Sequence, residues 1–128
     1  KKTKCVMNAD GVLRGNAKKV FRGTIDFRRG CAGAKGDELE NVLLMDDDVI
    51  NQTIPVILCD EEDVEGNHGA SIGKLDESLM FYLSSRGMDE SEIYEMMARA
   101  RIDAVTAKIA DAQTREEIAH YLGDAIEE

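Results

Sequence analysis

The chain holds two histidines and three cysteines, the side chains best suited to metal or sulfur chemistry. His68 stands in the run Glu65-Gly66-Asn67-His68-Gly69-Ala70-Ser71-Ile72-Gly73. A neutral imidazole ligates iron and other transition metals at cellular pH, and flanking glycines keep the approach open. The plainer reading is a surface or hydrogen-bonded histidine in a glycine turn. Cys59 ends the apolar run Ile54 to Leu58, nine residues before His68. As a thiolate it would serve as a ligand or persulfide acceptor; the plainer reading is a small buried hydrophobe. Cys5 and Cys31 have no paired spacing and receive no role. No C-x-x-C or C-x-x-H pattern occurs, so neither a disulfide framework nor a structural zinc site is expected. The turns Asp46-Asp47-Asp48 and Asp60-Glu61-Glu62-Asp63 match no calcium loop and read as solvated acids. His120 reads as an ordinary helix residue. No nucleophile–base pair, phosphate-binding loop or dinucleotide fingerprint is present.

The 128 residues carry a net charge of −10, with 43% apolar and 33% charged residues. One domain, or one domain with a small subdomain, is expected. So acidic a chain lacks the basic footprint that nucleic acid or an anionic membrane requires. No apolar run reaches membrane-spanning length and no signal peptide is visible, so a reducing cytoplasm is the expected compartment. The sequence begins at Lys1 rather than methionine, and a processed or truncated piece is expected.

Two regimes must position His68. Before it, short apolar runs at 5–7, 12–13, 20–27, 42–45 and 54–58 alternate with Gly- and Asp-rich punctuation, including 8–11 and 36–37. Their β-branched content predicts strands, with sandwich and solenoid both open. Pro55 should mark a strand edge, bulge or corner. Around His68, Gly66, Gly69 and Gly73 permit tight turns or close backbone approach, and a glycine-rich corner is expected. After it come three helices. Asp76 is the expected cap of the first, and Gly87 its left-handed end. Asp89 with Glu92 makes an acidic capping box ahead of a helix carrying Ile93, Met96, Met97, Ala100, Ala104 and Val105. Thr114 with Glu117 predicts a third helix carrying Ile118, Leu122, Ala125 and Ile126, after a break at 111–113. Glu95 and Arg99 stand at favourable helical spacing.

Asp63-Val64, His68-Gly69-Ala70-Ser71-Ile72-Gly73, Leu75-Asp76 and Phe81 through Gly87 closely resemble the C-terminal signature of the SufB/SufD family of iron–sulfur cluster assembly proteins. Val20-Phe21-Arg22-Gly23-Thr24-Ile25 and Thr53-Ile54-Pro55 resemble the same family, so the likeness runs from about Val12 to about Val105. The resemblance implies a mainly β chain with C-terminal α structure: the last rungs of a right-handed parallel β-helix over 1–74, then a helical subdomain over 75–128. The N-terminal strand edge of such a piece would need covering by self-association or a partner.

The resemblance also implies function. In the SufD branch the histidine matching His68 lies at the contact with SufB and is implicated in cluster formation. The family's helical region receives an ABC-type ATPase, SufC, which would make Met96, Met97, Tyr82 and Tyr94 candidates for a docking face; the plainer reading is that the methionines fill gaps in the core. Departures from the pattern matter. Many SufD-type sequences have cysteine where this chain has Gly66, and SufB has glutamate where it has Gly69. The functional cysteine of SufB aligns without gaps to Glu40, a carboxylate able to bind iron but read more plainly as a solvated strand-edge acid. The chain therefore looks SufD-like, without turnover of its own. Its expected partners are a SufB-type subunit or a second copy, and the ATPase. A transient iron–sulfur cluster is expected at the subunit contact. The alternative is a structural module of the same fold that docks the ATPase and handles no iron. A metal-dependent hydrolase is a distant third, lacking a second histidine at ligand spacing.

Overall fold

The computed structural model describes residues 1–124. They divide into two compact units, Lys1–Leu79 and Met80–Glu128, each taken by itself. The first unit is five strands: β1 (Lys4–Leu13), β2 (Lys18–Phe27), β3 (Ala34–Leu44), β4 (Ile50–Cys59) and β5 (Val64–Gly73). They form two parallel sheets, ordered β1-β3-β5 and β2-β4, so the chain alternates between sheets. Ladder partners lie thirty to thirty-two positions apart throughout: Lys4 with Lys35, Lys18 with Ile50, Ala34 with Val64. Each strand therefore stacks on the one an excursion earlier.

The strands are longer than the apolar runs suggested. β1 passes unbroken through Asn8-Ala9-Asp10-Gly11, and β3 through Gly36-Asp37. Parallel pairing supplies backbone hydrogen bonds regardless of side-chain polarity, so residues that usually punctuate turns are carried inside a ladder. Register is fixed by in-register side chains on the outer face. Asn41 donates to Asp10 at 3.0 Å, Asn67 donates to Asp37 at 2.9 Å, and Lys35 pairs with Glu65 at 2.5 Å.

The core lies between the sheets. Ile25, Phe27 and Ala34 are buried together, with Cys31 and Val64 packed against them. Glycine makes room for the aromatic ring. A Cβ at Gly36 would stand 2.8 Å from Ile25 Cγ2 and 3.0 Å from Phe27 Cζ, and one at its ladder partner Gly66 would stand 3.0 Å from Phe27 Cε2. This corrects the expected corner around His68. Residues 64–73 are a straight strand, and Gly66, Gly69 and Gly73 do not adopt positive φ. Gly66 serves cross-sheet packing, the close approach that is the other expectation for these glycines, and no turn forms. Pro55 lies within β4, which among the described residues pairs only with β2; an edge strand tolerates the absent N–H.

Three helices follow: α1 (Glu77–Ser84), α2 (Glu90–Thr106) and α3 (Ala112–Asp124). Asp76 caps α1 by accepting from the Ser78 and Leu79 amides at 2.9 and 3.2 Å. Gly87 follows at φ +95°, the left-handed conformation that ends a helix at little cost only in glycine. The Asp89–Glu92 capping box is complete, and Ile93, Tyr94 and Ala98 of α2 are buried. Arg99 pairs with Asp103 at 3.1 Å. α3 starts earlier than expected. Its cap is Asp111, which accepts from the Thr114 amide and hydroxyl, both at 2.7 Å, so Ala112 and Gln113 are helical rather than a break. The apolar positions assigned to Ala125 and Ile126 lie outside the described residues.

Gly36→Ala should lower unfolding stability by about 1–3 kcal/mol, because Ile25 and Phe27 must both move within a packed core. Gly73→Ala, with open space around its Cβ position, should stay within about 0.5 kcal/mol of the parent. Urea titrations of the two variants check this; equal midpoints would contradict the packing described.

Candidate functional site

His68 is an exposed residue of β5 and the ladder partner of Glu38 in β3. Ladder partners direct their Cβ atoms to the same face of a sheet. That face is the inner one: Gly66, two residues earlier, meets Phe27, and Glu38 itself reaches Gly23 of β2. An ideal Cβ at Gly23 would lie 2.1 Å from Glu38 Oε1 and 2.3 Å from Oε2, so the carboxyl occupies volume that any other residue would fill. Gly23 is in turn the ladder partner of Pro55. Gly23, Glu38, Pro55 and His68 thus share one level of the stack, drawn from four strands. Three of the four belong to the separate sequence motifs Arg22-Gly23-Thr24, Thr53-Ile54-Pro55 and His68-Gly69-Ala70.

Glu38 is fully buried, and neither of its side-chain oxygens has a hydrogen-bond donor. A buried carboxyl in that condition costs several kcal/mol unless something partners it. Sequence reasoning missed this residue. In Glu38-Leu39-Glu40, alternation predicts leucine inside and the acids outside. The structure reverses it: Leu39 is 44% exposed and both glutamates are fully buried. The signal that finds Glu38 is its thirty-residue spacing from His68, which marks ladder partners.

Glu40, expected as a solvated edge acid, is the centre of a polar cluster between the sheets. Its ammonium partner is Lys19 of β2, which also donates to Asn51 at 3.2 Å. Thr53 donates to Glu40 Oε2 at 2.6 Å, and Asn51 donates to Thr53 at 3.3 Å. Burial is the strongest single influence on Glu40 and pushes its pKa up. The hydrogen bonds from Lys19 and Thr53, with the Lys19 charge, together outweigh burial and hold it below the ordinary carboxylate value. Committed to Lys19, Glu40 is a structural ion pair.

Cys59 is not brought to His68. It is the ladder partner of Phe27, four residues along β4 from the His68 level, or about 13 Å at strand rise. Its exposed thiol donates to the Glu61 carbonyl at 3.1 Å. The buried-hydrophobe reading of Cys59 is corrected accordingly: it lies on an edge strand whose last five residues are all exposed. The acidic turns hold backbone and lysine. Asp46 accepts from the Gly15 amide at 2.5 Å, Glu61 accepts from the Gly30 amide at 2.9 Å, and Asp47 pairs with Lys74. Among the described residues no three His, Cys, Asp or Glu side chains converge as a metal cage, and no helix is long and apolar enough to cross a membrane.

Because Glu40 has a depressed pKa in the fold, its stabilising contribution is complete above the unfolded carboxylate range, about pH 4.3, and is lost as pH falls through the lower folded value. Lys19→Met should strand the buried charge and cost about 3 kcal/mol at pH 7. That penalty should shrink in acid as Glu40 protonates. Urea unfolding of both chains at pH 7 and pH 3 checks this, and a pH-independent penalty would contradict it.

The family model for the SufBD core domain of SUF system FeS cluster assembly matches residues 1–101. The chain is 32% identical over 82 residues to the iron–sulfur cluster assembly protein SufD of Bacillus subtilis, covering 64% of this chain and 19% of that protein. It is 30% identical over 98 residues to a SufBD family protein of Mycobacterium tuberculosis, covering 77% of this chain and 12% of the relative. A Staphylococcus saprophyticus SufBD family protein is 28% identical over 107 residues, covering 84% and 23%. The chain thus spans less than a quarter of the length of these relatives.

Proposed function

The chain belongs to the SufBD core domain family of the SUF iron–sulfur cluster assembly system, and from that membership we propose that it is the SufD-like scaffold part of an assembly complex. In this reading the parallel strands are rungs of a right-handed β-helix, and the chain turns over no substrate. Iron and the nascent cluster are cargo. His68 meets them at the contact with a SufB-type subunit, and the helices receive a SufC-type ATPase.

One observation carries the reading: His68 is an exposed imidazole facing inward on β5, level with the buried Glu38, where cargo can reach it from solvent. Two further features support it. Among the described residues β4 and β5 each have one ladder neighbour, and β4 leaves Ile54, Val56, Ile57 and Leu58 at least 36% exposed. Unpaired strand edges with apolar side chains suit another subunit's strands. On α1, Phe81 is 77% and Tyr82 51% exposed, the Arg86 guanidinium lying 4.9 Å from the Tyr82 ring centroid. Exposed aromatics beside an arginine are what protein interfaces use as anchors.

A second reading has its own support. Cys59 stands four residues along its strand from the His68 level, and thiolates hold most clusters. On this reading the chain is a structural module that docks the ATPase and handles no iron.

Titration of a purified SufC-type ATPase against the chain should show binding, weakened roughly tenfold by Phe81→Ala, equivalent to about 1.4 kcal/mol. Absence of binding defeats the docking proposal. Anaerobic reconstitution of the full complex with iron and sulfide should give less cluster absorption with His68→Ala than with the parent. Equal absorption favours the structural module.

A further inference from the structure

We propose that Glu38 and His68 together form a two-ligand site for a divalent transition metal, with iron(II) as its cargo. This rests on the proposed cargo role of His68 and supplies the residue that role lacks. The buried carboxyl of Glu38 has no donor on either oxygen, a condition a cation relieves directly. The ammonium of Lys19 on the facing strand β2 is already engaged by Glu40 and Asn51. Gly23 leaves the carboxyl its space, so the group is accommodated by design of the neighbouring strand rather than squeezed into a packed core.

Register provides the second ligand. β3 and β5 are adjacent, so the backbones at Glu38 and His68 are about 4.8 Å apart with both side chains on one face. Carboxylate and imidazole at that spacing can converge on one ion at ligand distances of about 2.0–2.2 Å. An oxygen and a nitrogen donor suit iron(II), cobalt(II) and zinc(II) and do not require a thiolate. The exposed imidazole gives the ion its way in, while Glu38 supplies the counter-charge from within. No third protein ligand joins them among the described residues. The remaining coordination positions are open to water, sulfide or a side chain of the partner subunit, as a site that must release its metal requires.

Cobalt(II) serves as the spectroscopic probe in an anaerobic titration of the full chain. The parent should develop ligand-field absorption and a cobalt-dependent rise in melting temperature. Glu38→Gln and His68→Ala should each weaken cobalt binding at least tenfold, and the double variant should bind no more tightly than either single one. In the unsubstituted chain, labelled with carboxyl-13C glutamate, cobalt should shift the Glu38 resonance. Parent-like binding by Glu38→Gln while His68→Ala loses it overturns the paired site but leaves His68 as a lone ligand, and with it the proposed cargo role. Binding untouched by both substitutions, no binding by the parent, or an unshifted Glu38 resonance overturns the site. Neither the ATPase titration nor the cluster reconstitution depends on these outcomes.

Discussion

The carboxyl of Glu38 sits where a side chain on residue 23 would be, and that exchange of volume between two strands organises the first unit. It requires glycine on β2 and fixes how β2 and β3 face one another. Because each strand stacks on another thirty to thirty-two residues away, one such contact also sets the level of Pro55 on β4 and His68 on β5. A slip of one residue in either ladder would turn every inner side chain outward. The outer Asn–Asp and Lys–Glu pairs, all in register, oppose such a slip.

The interior this creates has two characters along its length. At one end Phe27, Ile25 and Ala34 pack as an ordinary core, with Gly36 and Gly66 vacating room for the ring. At Gly23 and just beyond it the inner face is polar, with Glu38 unpartnered and Glu40 held by Lys19, Thr53 and Asn51, before apolar burial resumes at Val42. Buried ion pairs seldom add net stability over apolar replacements. The difference between the two glutamates is therefore informative. Glu40 is provided with donors and serves the fold, while Glu38 is provided with space and a histidine neighbour.

Helix ends were legible residue by residue, because caps are local chemistry: Asp76, Gly87 and the Asp89–Glu92 box all act within a few positions of themselves. Where two caps competed, Asp111 against Thr114, the earlier residue won and the later one became its donor. Strand residues were less legible, because stacking across thirty positions overrides local preference. The glycines around His68 imply a turn locally and are extended in fact, and Leu39 and Glu38 exchange their expected faces. His68 was visible through its residue type and family motif. Glu38 was not, since nothing in its own neighbourhood marks it, and only the ladder spacing connects it to the histidine.

The most direct measurement is a crystal structure of the chain grown anaerobically and soaked with iron(II), with diffraction recorded on both sides of the iron absorption edge. The account predicts an anomalous peak bonded to the His68 imidazole and a Glu38 oxygen, between β3 and β5. An anomalous peak confined to the acidic turns, or one on His68 with the Glu38 carboxyl still lodged against Gly23, would contradict it.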